Sequence, residues 1–150
     1  YVLISLASGG GLVLFLVVWG VLHIEPWYTP QYTVPLAGMI FANSMNTVSL
    51  AAERYESEII NGLSCEAAKK VAFQTGMIPV VNSMFAVGLV ALPGMMTGQI
   101  LSGVSPLIAV RYQIVVMCML FAASGICAAL YLELISRSAA IGDSAPQPLE

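Results

Sequence analysis

Residues 2–22, VLISLASGGGLVLFLVVWGVL, run for 21 positions without a charged side chain. A helix rises about 1.5 Å per residue, so about 20 apolar residues cross a hydrocarbon core of about 30 Å. This stretch therefore has the length and character of a membrane span. Its Gly9-Gly10-Gly11 would weaken a helix in water. In lipid the backbone has no other way to satisfy its N–H and C=O groups, and small residues let a neighbouring helix come close.

The whole chain has the same solvent preference. Of its residues 59% are hydrophobic and 9% charged, with a mean hydropathy of +0.89, whereas a soluble domain carries roughly a quarter charged residues. The net charge of −3 gives no electrostatic footprint for nucleic acid. Three cysteines, Cys65, Cys118 and Cys127, are an odd number without CxxC spacing, which fits neither a disulfide framework nor a zinc site. The sequence opens at Tyr1 inside an apolar run, without a charged leader or a small-residue cleavage site, and reads as a piece of a longer chain.

Beyond the first span, His23 to Pro35 mixes Glu25, three prolines and the rings of Trp27, Tyr28 and Tyr32. These suit a short loop at the headgroup level. A second span is expected over 36–52, with Asn43, Ser44, Asn46, Thr47 and Ser49 turned toward protein or water. Charges then gather over 53–71, after which 71–110 hold none. A third span is expected over 72–92, with Pro79 in its first turns and Asn82 and Ser83 facing the bundle. The piece from Met95 to Val110, broken by Gly98, Gly103 and Pro106, reads as re-entrant or interfacial rather than as a full crossing. A fourth span fits 113–134. The fold class is all-α, a polytopic transmembrane helical bundle of about four spans within 1–137, followed by a disordered tail over 138–150. Placing the 53–71 loop and the tail in the cytoplasm puts Arg54, Lys69, Lys70 and Arg137 inside and leaves Arg111 outside, as the positive-inside rule requires.

No phosphate loop, HExxH or G-x-S-x-G elbow is present, so soluble-enzyme chemistry is not expected. The charged loop breaks at Asn61-Gly62 and restarts at Ser64 as a short helix through Phe73. Ser64 serves as N-cap and Glu66 suits the positive helix start, with Lys69 and Lys70 further along. Such a helix either docks on a cytoplasmic partner or is an ordinary helical connection. Pro93-Gly94 and Gly98 read as a kinked GxxxG step for close helix packing, or as a hinge lining a pathway. Eight methionines offer thioethers to soft ions, but methionine is also a common filler of apolar interiors. No histidine or carboxylate joins them at membrane depth, which favours packing. His23 sits at a span end and reads as interfacial. The sequence names no metal ligand and no cofactor.

Pro35-Leu36-Ala37-Gly38-Met39-Ile40, Asn43-Ser44-Met45-Asn46, Leu92-Pro93-Gly94-Met95-Met96-Thr97-Gly98 and Ala109-Val110-Arg111-Tyr112-Gln113-Ile114 together resemble the FetB-type ABC transporter permeases. That family takes in bacterial iron-export permeases and plant aluminium-tolerance proteins. The resemblance covers most of 35–132 and implies a permease subunit exporting iron or another metal. It further implies a separate cytoplasmic ABC ATPase, a second permease subunit in a homodimer, and a multi-pass location in the plasma or inner membrane. It makes Ser64, Glu66, Ala67, Ala68, Lys69 and Lys70 the coupling helix, where Gly62-Leu63-Ser64-Cys65 departs from the family's Gly-Ala-Thr-Pro. Asn43, Asn46, Asn82 and Ser83 are then expected along the translocation path. Members carry more than four spans, so further spans are expected outside this chain. A membrane scaffold or receptor without a transport cycle is the competing class.

Overall fold

A computed structural model describes residues 1–21, 30–89 and 94–143. The 23–29 part of the expected interfacial loop, with His23, Glu25 and Trp27, together with Pro93 and the last residues of the tail, lies outside the described residues, whereas the loop's expected remainder, 30–35, is helical. Helix α1 covers 2–21 and alternates α-helical and π-helical turns: Val2–Ser5, Leu6–Gly10, Gly11–Phe15 and Leu16–Val21. Then come α2 (Pro30–Ile60), α3 (Cys65–Leu89), the short α4 (Gly94–Leu101) and α5 (Pro106–Asp143).

The helices are longer than the expected spans, for a local reason. The charged stretch is not an irregular loop. It is the end of α2 and the start of α3, joined across Asn61–Ser64. Glu, Arg, Ala and Lys are good helix formers, and nothing breaks the helix before Asn61-Gly62. The restart at Ser64 is where the sequence places it, but the helix is not short, because α3 runs on unbroken to Leu89. Pro79 consequently lies mid-helix rather than in the first turns. Having no N–H, it leaves the Thr75 carbonyl without its usual donor. Likewise α5 begins before Gln113 and continues as far as Asp143, so the start of the expected disordered tail is helical.

Both sharp reversals among the described residues use a glycine of positive φ. At the end of α2, the Leu63 N–H donates to the Glu58 carbonyl and the Gly62 N–H to the Ile59 carbonyl, each at 3.0 Å. Gly62 has φ +85. This is a Schellman cap, whose left-handed residue suits glycine because it has no Cβ. Gly103, with φ +89, closes α4 in the same way, through Val104 N–H to Gln99 O and Gly103 N–H to Ile100 O. Ser105 then accepts the first turn of α5, and Pro106 fills the position where a missing N–H costs nothing.

Helix α2 packs against both α3 and α5, and α1 lies along α5 and α2. Two buried clusters mark two depths. Leu6, Val48, Tyr55, Ala68, Cys127 and Tyr131 belong to the level nearer the α2–α3 turn. Val13, Val17, Ile40, Val116 and Met119 belong to the other. The Tyr1 hydroxyl lies 2.9 Å from the Ser138 hydroxyl, so the start of α1 and the late part of α5 share the end that carries the α2–α3 turn.

The surface is the reverse of a soluble protein's. Leu3, Leu12, Phe15, Trp19, Phe85 and Leu107 are exposed, while Ser5, Ser44, Thr47 and Ser124 are buried. An apolar exterior over buried hydroxyls is what lipid contact requires. By length and hydropathy, 2–20 and 106–138 qualify as membrane spans. Helices α2 and α3, at ~46 and ~38 Å, also exceed the ~30 Å core, with more polar residues along them. The chain is an all-α membrane protein.

Candidate functional site

The α2–α3 turn stands at the charged end of the bundle. Arg54 pairs with Glu58 at 2.5 Å, and Lys69 pairs with Glu66 at 2.7 Å. Lys69 also reaches Glu133 on α5 at 3.2 Å, and Glu133 in turn holds Arg137 at 2.8 Å. The Glu66 and Glu133 carboxylates favour the charged form of Lys69 and raise its pKa. Beneath the turn, the Tyr55 hydroxyl lies 3.2 Å from Cys65 Sγ. Burial and that contact push the Tyr55 pKa up to about 12. The phenol is therefore a neutral clip between the end of α2 and the start of α3.

The six residues expected to form a coupling surface divide into two groups. Ser64, Glu66 and Lys70 are exposed, and Ser64 sits at the N-cap, its carbonyl accepting from Ala68 N–H at 2.9 Å. Ala67 is half-buried and Lys69 largely covered. Ala68 is fully buried in the core cluster with Leu6, Val48 and Tyr131, so it anchors α3 instead of presenting a docking face. Helical geometry explains the division, since residues three and four apart share a face and successive ones do not.

The four expected path residues lie on α2 and α3. Asn43 is half-buried and its amide donates to the Met39 carbonyl at 2.9 Å within α2. Asn46, Asn82 and Ser83 are exposed, so Asn82 and Ser83 do not face the described bundle as expected. The two helices run antiparallel and touch at Thr47 and Gly76. From that contact Asn43 lies ~6 Å along α2 and Asn82 ~9 Å along α3 in the same direction, which brings the two amides to similar depth. No hydrogen bond joins the four. Among the described residues, no three His, Cys, Asp or Glu side chains cluster as a metal site would need.

The close helix approach read at Gly94 and Gly98 is not made between the described residues, since a Cβ added at either would meet nothing within 4 Å. It is made elsewhere. A Cβ at Gly9 would lie 2.9 Å from Cys127 Sγ, at Gly10 3.1 Å from the Phe41 ring, and at Gly76 2.8 Å from the Thr47 carbonyl oxygen. Gly9 and Gly10 thus seat that helix against α5 and α2, as their small size predicts, whereas a Cβ at Gly11 would meet nothing within 4 Å. Sequence reasoning missed Gly76, Ser124 and the Lys69–Glu133 link, which depend on helix register. Among the described residues the buried hydroxyls of Ser44 and Ser124 have no oxygen or nitrogen partner, Ser44 lying beside the Cys127 thiol.

Comparison with known proteins places the chain in a family. Residues 1–63 and 61–140 match the family described as "Uncharacterised protein family (UPF0014)". The chain belongs to the UPF0014 family. It is 43% identical over 114 residues to the UPF0014 membrane protein slr1647 of Synechocystis, covering 65% of this chain and 44% of that protein. It is 34% identical over 136 residues to the Arabidopsis thaliana protein ALUMINUM SENSITIVE 3, covering 81% and 49%. It is 33% identical over 138 residues to the Escherichia coli protein named "Probable iron export permease protein FetB", covering 82% and 52%. The chain thus spans about half the length of the curated relatives it matches. No solved structure matches. UPF0014 membership and the apolar exterior together make this an integral membrane protein.

Proposed function

We propose that the chain is part of a permease that exports iron or another metal, driven by a separate cytoplasmic ABC ATPase subunit and working as a pair of permeases. The observation that carries this reading is the charged hairpin end. Two helices, each longer than the membrane core, meet there in a four-residue turn capped by Gly62. A push on Leu63, Ser64 or Glu66, all exposed, would be transmitted along both helices at once, because neither has a loop in which to absorb it. The relative named as an iron export permease supports the reading, as does the resemblance of residues 35–132 to ABC permeases.

In this reading α1, α2, α3 and α5 cross the membrane, and α4, at ~12 Å, does not. Arg54, Lys69, Lys70 and Arg137 face the cytoplasm and Arg111 the other side. Asn43, Asn46, Asn82 and Ser83 line the path, since uncharged polar groups at membrane depth need water or a partner. Gly94 and Gly98 remain open for a helix from outside this chain.

Docking is tested at the exposed residues, because bulk at Ala68 would break the core. Leu63→Asp combined with Glu66→Lys is expected to abolish co-purification of the ATPase with the full-length permease, and its stimulation, while helicity by circular dichroism stays unchanged. Retained ATPase binding and stimulation would remove the coupling role from this turn.

A further inference from the structure

Between α3 and α5 runs an outward-facing groove with two chemically different halves. At the charged end a hollow of about 510 Å³ is bordered by Glu66, Lys69, Lys70 and Glu133. Deeper along the same two helices a second hollow of about 540 Å³ is bordered by Met77, Val81, Phe121, Gly125 and Ile126. Phe73 and Gln74 border both, so the two hollows adjoin along the same pair of helices as a furrow, polar at its mouth and apolar along its length.

The charges at the mouth are not equivalent. Glu66 is taken by Lys69, and Glu133 by Lys69 and Arg137. Both carboxylates are therefore neutralised within the protein. Lys70 is exposed and makes no ion pair among the described residues. The uncompensated group at the mouth is a cation, which calls for an anion. The depth is equally specific. From Lys70 to Val81 the helix rises ~16 Å, about half of a ~30 Å hydrocarbon core and hence one leaflet. Gly125 keeps the floor open, since a Cβ there would only just reach Met77, at 3.8 Å.

We propose that this furrow is a binding site for an anionic glycerophospholipid, its phosphodiester on Lys70 and one acyl chain laid against Phe73, Met77, Phe121 and Ile126. A free phosphate would have one exposed lysine to hold it. The apolar length supplies the rest of the recognition only when a hydrocarbon chain is attached. The site joins α3 to α5 at the end where the Lys69–Glu133 pair already links them, so a bound lipid would brace the same two helices. The proposal rests on the fold and membrane setting alone and holds whether or not the chain takes part in transport.

Native mass spectrometry of the full-length protein released from detergent micelles doped with equal phosphatidylglycerol and phosphatidylcholine tests it. The expected result is retained phosphatidylglycerol at about fivefold preference, the effect of one interfacial lysine. Lys70→Ala, a surface change that leaves the core intact, should abolish the preference while lipid still binds. Gly125→Leu should fill the furrow and remove the bound lipid from either class. Equal retention of both lipids by the unaltered chain, or an unchanged preference in Lys70→Ala, would overturn the proposal. So would retention of soluble glycerophosphate in place of the lipid, or loss of a chain–chain complex rather than of lipid in Gly125→Leu, since a second copy would then occupy the furrow.

Discussion

At Gly76 the hydrogen in place of a side chain is a packing requirement. An added Cβ would sit 2.8 Å from the Thr47 carbonyl oxygen and 3.1 Å from the Ala51 Cβ, and the oxygen is backbone, which cannot rotate away. Helices in lipid gain little from the hydrophobic effect on associating and depend on van der Waals contact at such crossings. Gly76→Ala is therefore expected to destabilise the α2–α3 pair by about 1–3 kcal/mol, the usual cost of overpacking, measured as a lowered unfolding midpoint in detergent. Gly125→Ala, whose Cβ would meet only the end of Met77, is the control and should be neutral or slightly stabilising. The chain has 13 glycines, and nothing in their local spacing separates Gly76 from Gly98. The partner surface makes the difference.

Among the elements, the α2–α3 hairpin shows most clearly how sequence produces shape. Asn61-Gly62 ends α2 because only a residue without a Cβ adopts φ +85 without strain, and two backbone hydrogen bonds depend on it. Gly62→Ala is expected to cost about 1–2 kcal/mol from the left-handed conformation alone. It should show as a lower thermal midpoint by circular dichroism, with Gly62→Asn milder because asparagine tolerates that region. The break and the restart were both legible, being chemistry of adjacent residues. The length of α3 was not. Sequence pattern made Pro79 a residue of the first turns, yet α3 begins far enough upstream for the proline to fall mid-helix. Its flanking turns are held by packing at Ala72, Met77 and Val80, which compensates for one missing backbone bond.

For the molecule as a whole, the proposed topology makes a labelling prediction. In a background where Cys118 and Cys127 are replaced by serine, the exposed Cys65 should react with an impermeant maleimide from the cytoplasmic face. A cysteine introduced at Ser138 should label from that same face, and one introduced at Arg111 from the opposite face. Labelling of Cys65 and position 111 from one side would overturn the four-crossing arrangement. The all-α membrane class, the charge-free first span, the glycine-terminated hairpin and the resemblance to a permease family were readable from the sequence. They follow from composition, run length and short-range turn chemistry. Which small residues touch, why Ala68 is core while Glu66 is surface, how Lys69 reaches Glu133, and how α3 and α5 enclose a furrow one leaflet deep were decided by tertiary structure alone. Each of these depends on the relative rotation and register of helices far apart in the chain, and in a sequence this uniformly apolar no periodic alternation of polar and apolar residues encodes that rotation.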